Sequence, residues 1–304
     1  MIRFFDLQVN GYAGVDFNAD DLGAEDLARA CQRLLDDGIG GILATVITAD
    51  LDRMIQRIGR IVTARESSEA ARTVIQGIHV EGPFISSEPG YVGTHPSNAV
   101  QQASIAAAEQ VVAAGAGLVR LVTLAPEQDA QGTTVRWLTD QGISVAAGHT
   151  NASNVELRTA IDQGLSLFTH LGNGCPLTLP RHDNIIQRVL SLSEQLWVCF
   201  IADGMHVPFP ALANYLKVVG PERAIVVSDC IAAAGLGPGE YTLGAMKVVV
   251  DEQFATWSPD RTHLMGSALA LPQAYSNLVE QLSLTPKAAH QLTCLNPKRA
   301  VRFG

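Results

Sequence analysis

The sequence predicts an α/β fold, a (β/α)8 barrel of the TIM type, with a β-hairpin insertion after the eighth strand. Three observations predict it. Short runs rich in Val, Ile and Leu recur along the chain and alternate with amphipathic stretches. Those runs are apolar throughout, as parallel strands covered on both faces are. Several of them finish in a polar residue able to do chemistry, and a barrel builds its active site at the carboxyl ends of its strands.

In chain order, strands are expected at residues 2–8, 40–46, 74–81, 118–123, 143–148, 165–170, 197–202 and 224–229. Helical patterns lie at 22–36, 50–65, 101–114, 131–141, 152–163 and 209–218. A doubly wound sheet would carry a Gly-rich phosphate turn after its first strand, and Gly11-Tyr12-Ala13-Gly14 is not GxGxxG. The alternation breaks at 239–264. There Tyr241 to Val250 and Phe254 to Trp257 read as antiparallel strands joined near Asp251-Glu252-Gln253. A helical region at about 266–303 ends the sequence. With no linker or solenoid period in view, residues 1–304 are expected to form one domain.

Of the 304 residues, 47% are hydrophobic and 17% charged, enough for one large core. The net charge of -9 argues against nucleic acid, whose phosphates require a basic face. A small anion needs only one or two local cations. The first residues read as a strand, not a signal peptide, and no apolar run reaches the roughly 20 residues that span a bilayer. Cys31, Cys175, Cys199, Cys230 and Cys294 are scattered and odd in number. Reduced thiols and a cytoplasmic location are the expectation.

The strand ends carry the chemical signal. Gly77-Ile78-His79-Val80-Glu81, Val145-Ala146-Ala147-Gly148-His149, Leu165-Ser166-Leu167-Phe168-Thr169-His170 and Ala224-Ile225-Val226-Val227-Ser228-Asp229 finish in Glu, His, His and Asp. Singly, each has an ordinary use: a hydrogen-bonded histidine, a turn before Gly82-Pro83, a helix cap. Together at one end of a barrel they form a candidate metal site. Two imidazoles and a carboxylate suit Zn2+, with Fe2+, Mn2+ or Co2+ able to replace it. Such a metal, with one position open, acidifies water and polarises a carbonyl. Asp229 would then move the proton.

Other residues fall near the same end. His206 follows the seventh strand, and Gly93-Thr94-His95 lies in a Gly-rich loop after the third. Arg181 follows the sixth strand and has the fork geometry that suits phosphate. The first strand ends Asp6-Leu7-Gln8-Val9-Asn10-Gly11. Gln8 and Asn10 stand where many barrel hydrolases place an HxH pair for a second metal. Amides are poor ligands for a transition metal, so one metal is expected. Gln8 and Asn10 would hold a water or fill the polar end of the barrel.

These residues and their order resemble the N-acetylglucosamine-6-phosphate deacetylase family of the amidohydrolase superfamily. The likeness runs through Asp6-Leu7-Gln8-Val9-Asn10-Gly11, His79-Val80-Glu81-Gly82-Pro83-Phe84, Gly93-Thr94-His95 and Leu124-Ala125-Pro126-Glu127. It continues through Ala147-Gly148-His149-Thr150-Asn151-Ala152, Thr169-His170-Leu171, Ala202-Asp203-Gly204-Met205-His206, Ser228-Asp229, Gly266-Ser267-Ala268-Leu269 and Asn296-Pro297. The resemblance implies metal-dependent release of acetate from an N-acetylated amino sugar 6-phosphate. It implies Glu81, His149 and His170 as metal ligands and Asp229 as the catalytic acid/base. It also implies His206 and His95 on the sugar and its acetamide carbonyl, with Asn173 and Gly174 near the phosphate. Arg181 would reach the phosphate from the neighbouring subunit of a homodimer.

Three stretches depart from the family pattern: Gly172-Asn173-Gly174-Cys175-Pro176, Leu179-Pro180-Arg181-His182-Asp183-Asn184, and Cys230-Ile231 after Asp229. All lie in the expected substrate pocket and leave the exact sugar open. The small β domain usual in the family is also expected to be missing. Two rivals stand beside the deacetylase reading: an amidohydrolase acting on another N-acyl or cyclic amide, and a sugar-phosphate binding barrel without catalysis. A binuclear relative would carry a Lys on the fourth strand, and Leu118-Val119-Arg120-Leu121-Val122-Thr123 has none.

Overall fold

A computed structural model describes residues 3–302. Ile2 and Phe303, at the outer limits of the expected first strand and last helical region, lie outside them. Eight parallel strands follow in chain order: β1 (Phe4–Val9), β2 (Ile39–Ile47), β3 (Ile75–Glu81), β4 (Val119–Leu124), β5 (Ser144–Ala147), β6 (Leu167–Phe168), β7 (Trp197–Ile201) and β8 (Ala224–Val227). Each pairs with the next, and a parallel bridge from Val9 to Cys230 brings the last back to the first. The expected (β/α)8 barrel is present.

The two-residue period of a strand explains how the barrel is filled. Asp6 and Gln8 on β1 and His79 and Glu81 on β3 are all buried, two residues apart on each strand. His79 sits between Thr45 (3.4 Å) and Thr123 (2.8 Å), and burial holds its imidazole down at about 4. Helices cover the outside. In α1 (Ala24–Asp36) the buried residues are Leu27, Ala30, Cys31 and Leu34, one stripe at helical spacing.

Several boundaries differ from expectation. Strands 5, 6 and 8 stop two residues before His149, His170 and Asp229. The reason is local: these three residues have φ of 51°, 28° and 51°, which turns the chain out of the pleat. Residues 241–250 are not one strand. Gly239–Leu243 (β9) and Met246–Val250 (β10) form a hairpin through Gly244, whose φ is 59° and whose N–H donates to Asp16 (2.6 Å). Thr256–Trp257 (β11) adds a third strand. This sheet packs Leu243, Val248 and Val250 against Ile47 and Ile231, over the carboxyl end of the barrel. The sequence reading also missed two six-residue helices, Glu69–Val74 and Ile185–Leu190, and the short hairpin Gly11–Tyr12/Val15–Asp16.

Candidate active site

A cavity of about 700 Å3 opens at the carboxyl ends of the strands. It is lined by nine of the eleven residues singled out in the sequence or one step from them. Asn10, Glu81, His95, His149, His170, Asn173, Gly174, His206 and Asp229 all face it. Gln8 lies just beneath, bonded to Glu81. Arg181 is exposed and does not line this cavity. Among the described lining residues there is no Arg or Lys.

Glu81 is the hub. Its Oε1 lies 3.1 Å from His170 Nε2 and 3.3 Å from His149 Nε2, and it accepts the Gln8 side-chain amide at 3.0 Å. Burial pushes this carboxyl up, but the two imidazoles win and hold it well below its usual range. Burial pushes the His170 imidazole down, and Glu81 outweighs it to raise the ring above its usual value. His149 Nδ1 lies 3.0 Å from the Tyr91 carbonyl. That acceptor takes the Nδ1 proton and orients the ring so that Nε2 points at Glu81, where it donates to the carboxylate when protonated and offers its lone pair to a metal when not. Gly93 and Gly174 flank the ring: a Cβ on either would come within 3.0 Å of His149 atoms.

His95 enters this cluster more closely than a sugar contact would. Its Nε2 lies 3.2 Å from His149 Nε2. Glu81, His95 and His149 each offer a ligand atom within 4.8 Å of the others. Burial, reinforced by His149, pushes the His95 imidazole down to about 3. Two imidazole nitrogens at that distance require a proton or a cation between them. The Nδ1 atoms of His95 and His170 are buried without a hydrogen-bond partner. One carboxylate and converging imidazoles fit a divalent transition metal.

Asp229 stands apart from that cluster. Asn10 Nδ2 donates to its Oδ1 at 2.8 Å. Burial, with the Glu81 charge added, pushes the Asp229 carboxyl up to about 6, a range suited to taking and returning a proton. His206 is held by Asp203: the carboxylate Oδ2 lies 2.5 Å from Nδ1, and Oδ1 accepts the N–H groups of Met205 and His206. Burial pushes Asp203 up, and His206 more than reverses this. Positive φ at His149, His170 and Asp229 places local backbone strain at three of the four strand-end residues.

Sequence reasoning missed what positions these groups. Glu127 accepts from the Thr150 hydroxyl and from the Asn151 N–H (2.8 Å), so it clamps the turn after His149. Arg188 donates to the Asn151 and Ala152 carbonyls (3.2 and 3.1 Å) and pairs with Asp183 at 2.6 Å. Glu127 and Asp203 fall inside Leu124-Ala125-Pro126-Glu127 and Ala202-Asp203-Gly204-Met205-His206, and the Asp203/His206 spacing is a usable signal. Arg188 and the Tyr91 carbonyl gave none.

A barrel that gathers a carboxylate, three imidazoles and a separate aspartate at its strand ends defines the class of metal-dependent amidohydrolases. The comparisons make it particular. N-acetylglucosamine-6-phosphate deacetylase of Mus musculus is 32% identical over 97% of this chain and 72% of its own length. N-acetylgalactosamine-6-phosphate deacetylase of Escherichia coli O157:H7 is 29% identical over 97% of this chain and 76% of its own. An Asp-to-Ala mutant of the Mycobacterium smegmatis N-acetyl-D-glucosamine-6-phosphate deacetylase, solved with N-acetyl-D-glucosamine-6-phosphate, superposes with a TM-score of 0.89. It is 27% identical, with 99% of this chain and 77% of that one covered. No family profile matches the chain. The chain belongs to the N-acetylglucosamine-6-phosphate deacetylase family, hydrolases of amide C–N bonds, and spans about three quarters of the length of these relatives.

Proposed function

We propose that this chain hydrolyses N-acetylglucosamine-6-phosphate to glucosamine-6-phosphate and acetate with one divalent metal. The observation that carries it is the placement of Asp229, half-buried and held through Oδ1 by Asn10, across the same cavity from Glu81, His149 and His170. Those three are assigned as ligands because they stand at a strand end or two residues beyond it, whereas His95 lies far along a loop. Zn2+ suits them first, and when bound it would supply a polarised carbonyl and an acidified water.

The residues do the rest. Asn10 occupies Asp229 Oδ1, so Oδ2 is the oxygen that takes a proton from the attacking water and returns it to the departing nitrogen. Asp203 accepts from His206 Nδ1 and fixes the ring; as an imidazolium, stabilised by that carboxylate, the ring would also carry a proton on Nε2 and donate it to the carbonyl oxygen as it gains charge. Gln8 and Asn10 present amide N–H groups to Glu81 and Asp229, a pattern that supports one metal over two. Asn173 and the Gly172–Gly174 backbone would face the sugar. The lack of a lining Arg or Lys among the described residues supports Arg181 arriving from the second subunit of a homodimer. Five free cysteines support a reducing, cytoplasmic setting.

Among the described residues no helix is long and apolar enough to cross a membrane, and the partner proposed is a small amino sugar phosphate. The similarity to an N-acetylgalactosamine-6-phosphate deacetylase keeps the 4-epimer as the second substrate to assay. The test is acetate release by metal-loaded protein from both 6-phosphates and from unphosphorylated N-acetylglucosamine. Release from a 6-phosphate, and far less from the free sugar, is expected. No release from any of the three contradicts the proposal.

A further inference from the structure

The β9–β11 sheet and the turn after it supply part of the cavity wall, through Leu243, Trp257, Thr262, His263 and Leu264. This insertion is fastened to the barrel at two places. Its base is fastened beside Asp229: the Ser267 N–H donates to the Asp229 carbonyl at 2.9 Å, and the Ser267 carbonyl accepts the Ile231 N–H at 2.9 Å. Its tip, the turn at Gly244, is fastened by Asp16. The Gly244 N–H donates to Asp16 Oδ2 at 2.6 Å, and the Thr242 side chain bonds to the same carboxylate.

Asp16 is one half of a bridge. Its Oδ1 accepts the Asn18 N–H at 2.8 Å, and both residues are buried. Asn18 reaches the other way, into β2. Its Nδ2 donates to the Thr45 carbonyl at 3.0 Å, and its Oδ1 accepts the Ile47 N–H at 2.9 Å. Ile47 ends β2, lines the same cavity and is the register partner of Glu81. Leu243, one residue before Gly244, belongs to the same apolar cluster as Ile47. The bridge thus ties two wall residues together, one on the insertion and one beside the hub of the site. A carboxylate suits this place because it accepts from both sides at once. An amide of the same size accepts through one oxygen and sets its NH2 against an N–H donor.

We propose that Asp16 is a positioning residue for the hydrolysis: through the Gly244 turn it holds Leu243, and with it the insertion wall, against the bound amino sugar phosphate. This rests on the amide hydrolysis proposed above. Asp16 touches neither the cavity nor the cluster around Glu81, so its effect falls on substrate binding and not on the proton transfer at Asp229.

The test is a pair of variants, Asp16→Asn and Leu243→Ala, with their double mutant, assayed on N-acetylglucosamine-6-phosphate at matched metal content. In Asp16→Asn, KM should rise about tenfold, the size of one lost hydrogen bond, with kcat within about threefold of the parent. Loss of folded protein lowers the apparent kcat and leaves KM where it was, so a purely structural role would not give this split. If Asp16 acts through Leu243, the double mutant should have the KM of Leu243→Ala alone. A parental KM in Asp16→Asn, or KM effects that multiply in the double mutant, overturns the proposal. Hydrogen exchange supplies a readout apart from activity: amides of residues 239–250 should exchange faster in Asp16→Asn, with those of β3 to β7 unchanged. Equal exchange at 239–250 overturns the latch whether or not the chain hydrolyses anything. No acetate release by the parent overturns the hydrolase reading, and the positioning role with it, while faster exchange at 239–250 would still establish Asp16 as the fastening of the insertion.

Discussion

Asn10 and Asp229 are joined across the closing seam of the barrel: Nδ2 of the first donates to Oδ1 of the second at 2.8 Å. The two residues are 219 apart in sequence, and the contact exists only because β8 lies beside β1. The bond favours the charged form of Asp229, against the burial that pushes its carboxyl up. Removing the donor in Asn10→Ala should therefore shift the acid limb of the kcat/KM profile to higher pH and lower kcat about 10-fold at neutral pH. An unmoved limb would show that the amide does not tune Asp229.

The metal ligand set separates by histidine. His149→Ala and His170→Ala should lose tight metal, with affinity down at least ~100-fold by competition with a chelating dye. His95→Ala should keep its metal and lose kcat/KM. The reverse pattern would move His95 into the ligand set, beside Glu81 and His149, to which it already lies close.

Glu127 acts on the turn that carries His149. In Glu127→Ala the Thr150 hydroxyl and the Asn151 N–H lose their shared acceptor. A loss of ~1–3 kcal/mol in chemical denaturation is expected, together with weaker metal binding. Glu127→Gln, which keeps one acceptor oxygen, should recover part of both. Weakened stability with wild-type metal affinity would confine Glu127 to folding.

Asp16 links stability to pH. It accepts N–H groups from Asn18 (2.8 Å) and Gly244 (2.6 Å), and burial pushes its carboxyl up to about 6 despite them. A carboxyl raised in the folded state binds a proton that the unfolded chain releases near pH 4, so its contribution to stability falls as pH rises from about 4 to about 6. The loss is roughly 2–3 kcal/mol across that window. Denaturation at pH 4.5, 5.5 and 6.5 should show a steeper decline in the parent than in Asp16→Asn. Equal slopes would contradict the linkage.

Eight strands were legible because parallel strands buried on both faces leave long apolar runs, and the four strand-end residues because polar side chains interrupt those runs. The exact ends were not legible, since φ at His149, His170 and Asp229 is a backbone property that side-chain pattern does not report. Gly244 was read through because Leu243 and Met246 continue the apolar run on either side of its turn. Helix Ile185–Leu190 is too short to display a period, although Asn184 caps it. The closeness of His95 to His149 was not legible: a loop residue's reach depends on how residues 82–104 fold back, which no local pattern encodes. Arg188 and the Tyr91 carbonyl act only through tertiary contacts.

The decisive measurement is single-turnover acetate release from N-acetylglucosamine-6-phosphate by wild-type protein and Asp229→Asn at matched metal content. Because Asp229 is assigned the proton and not the metal, the variant should hold metal and substrate as the wild type does while the rate falls about 10^2- to 10^4-fold. A variant that releases acetate at the wild-type rate would contradict the role of Asp229 and, with it, the reading of this cavity as a hydrolytic site.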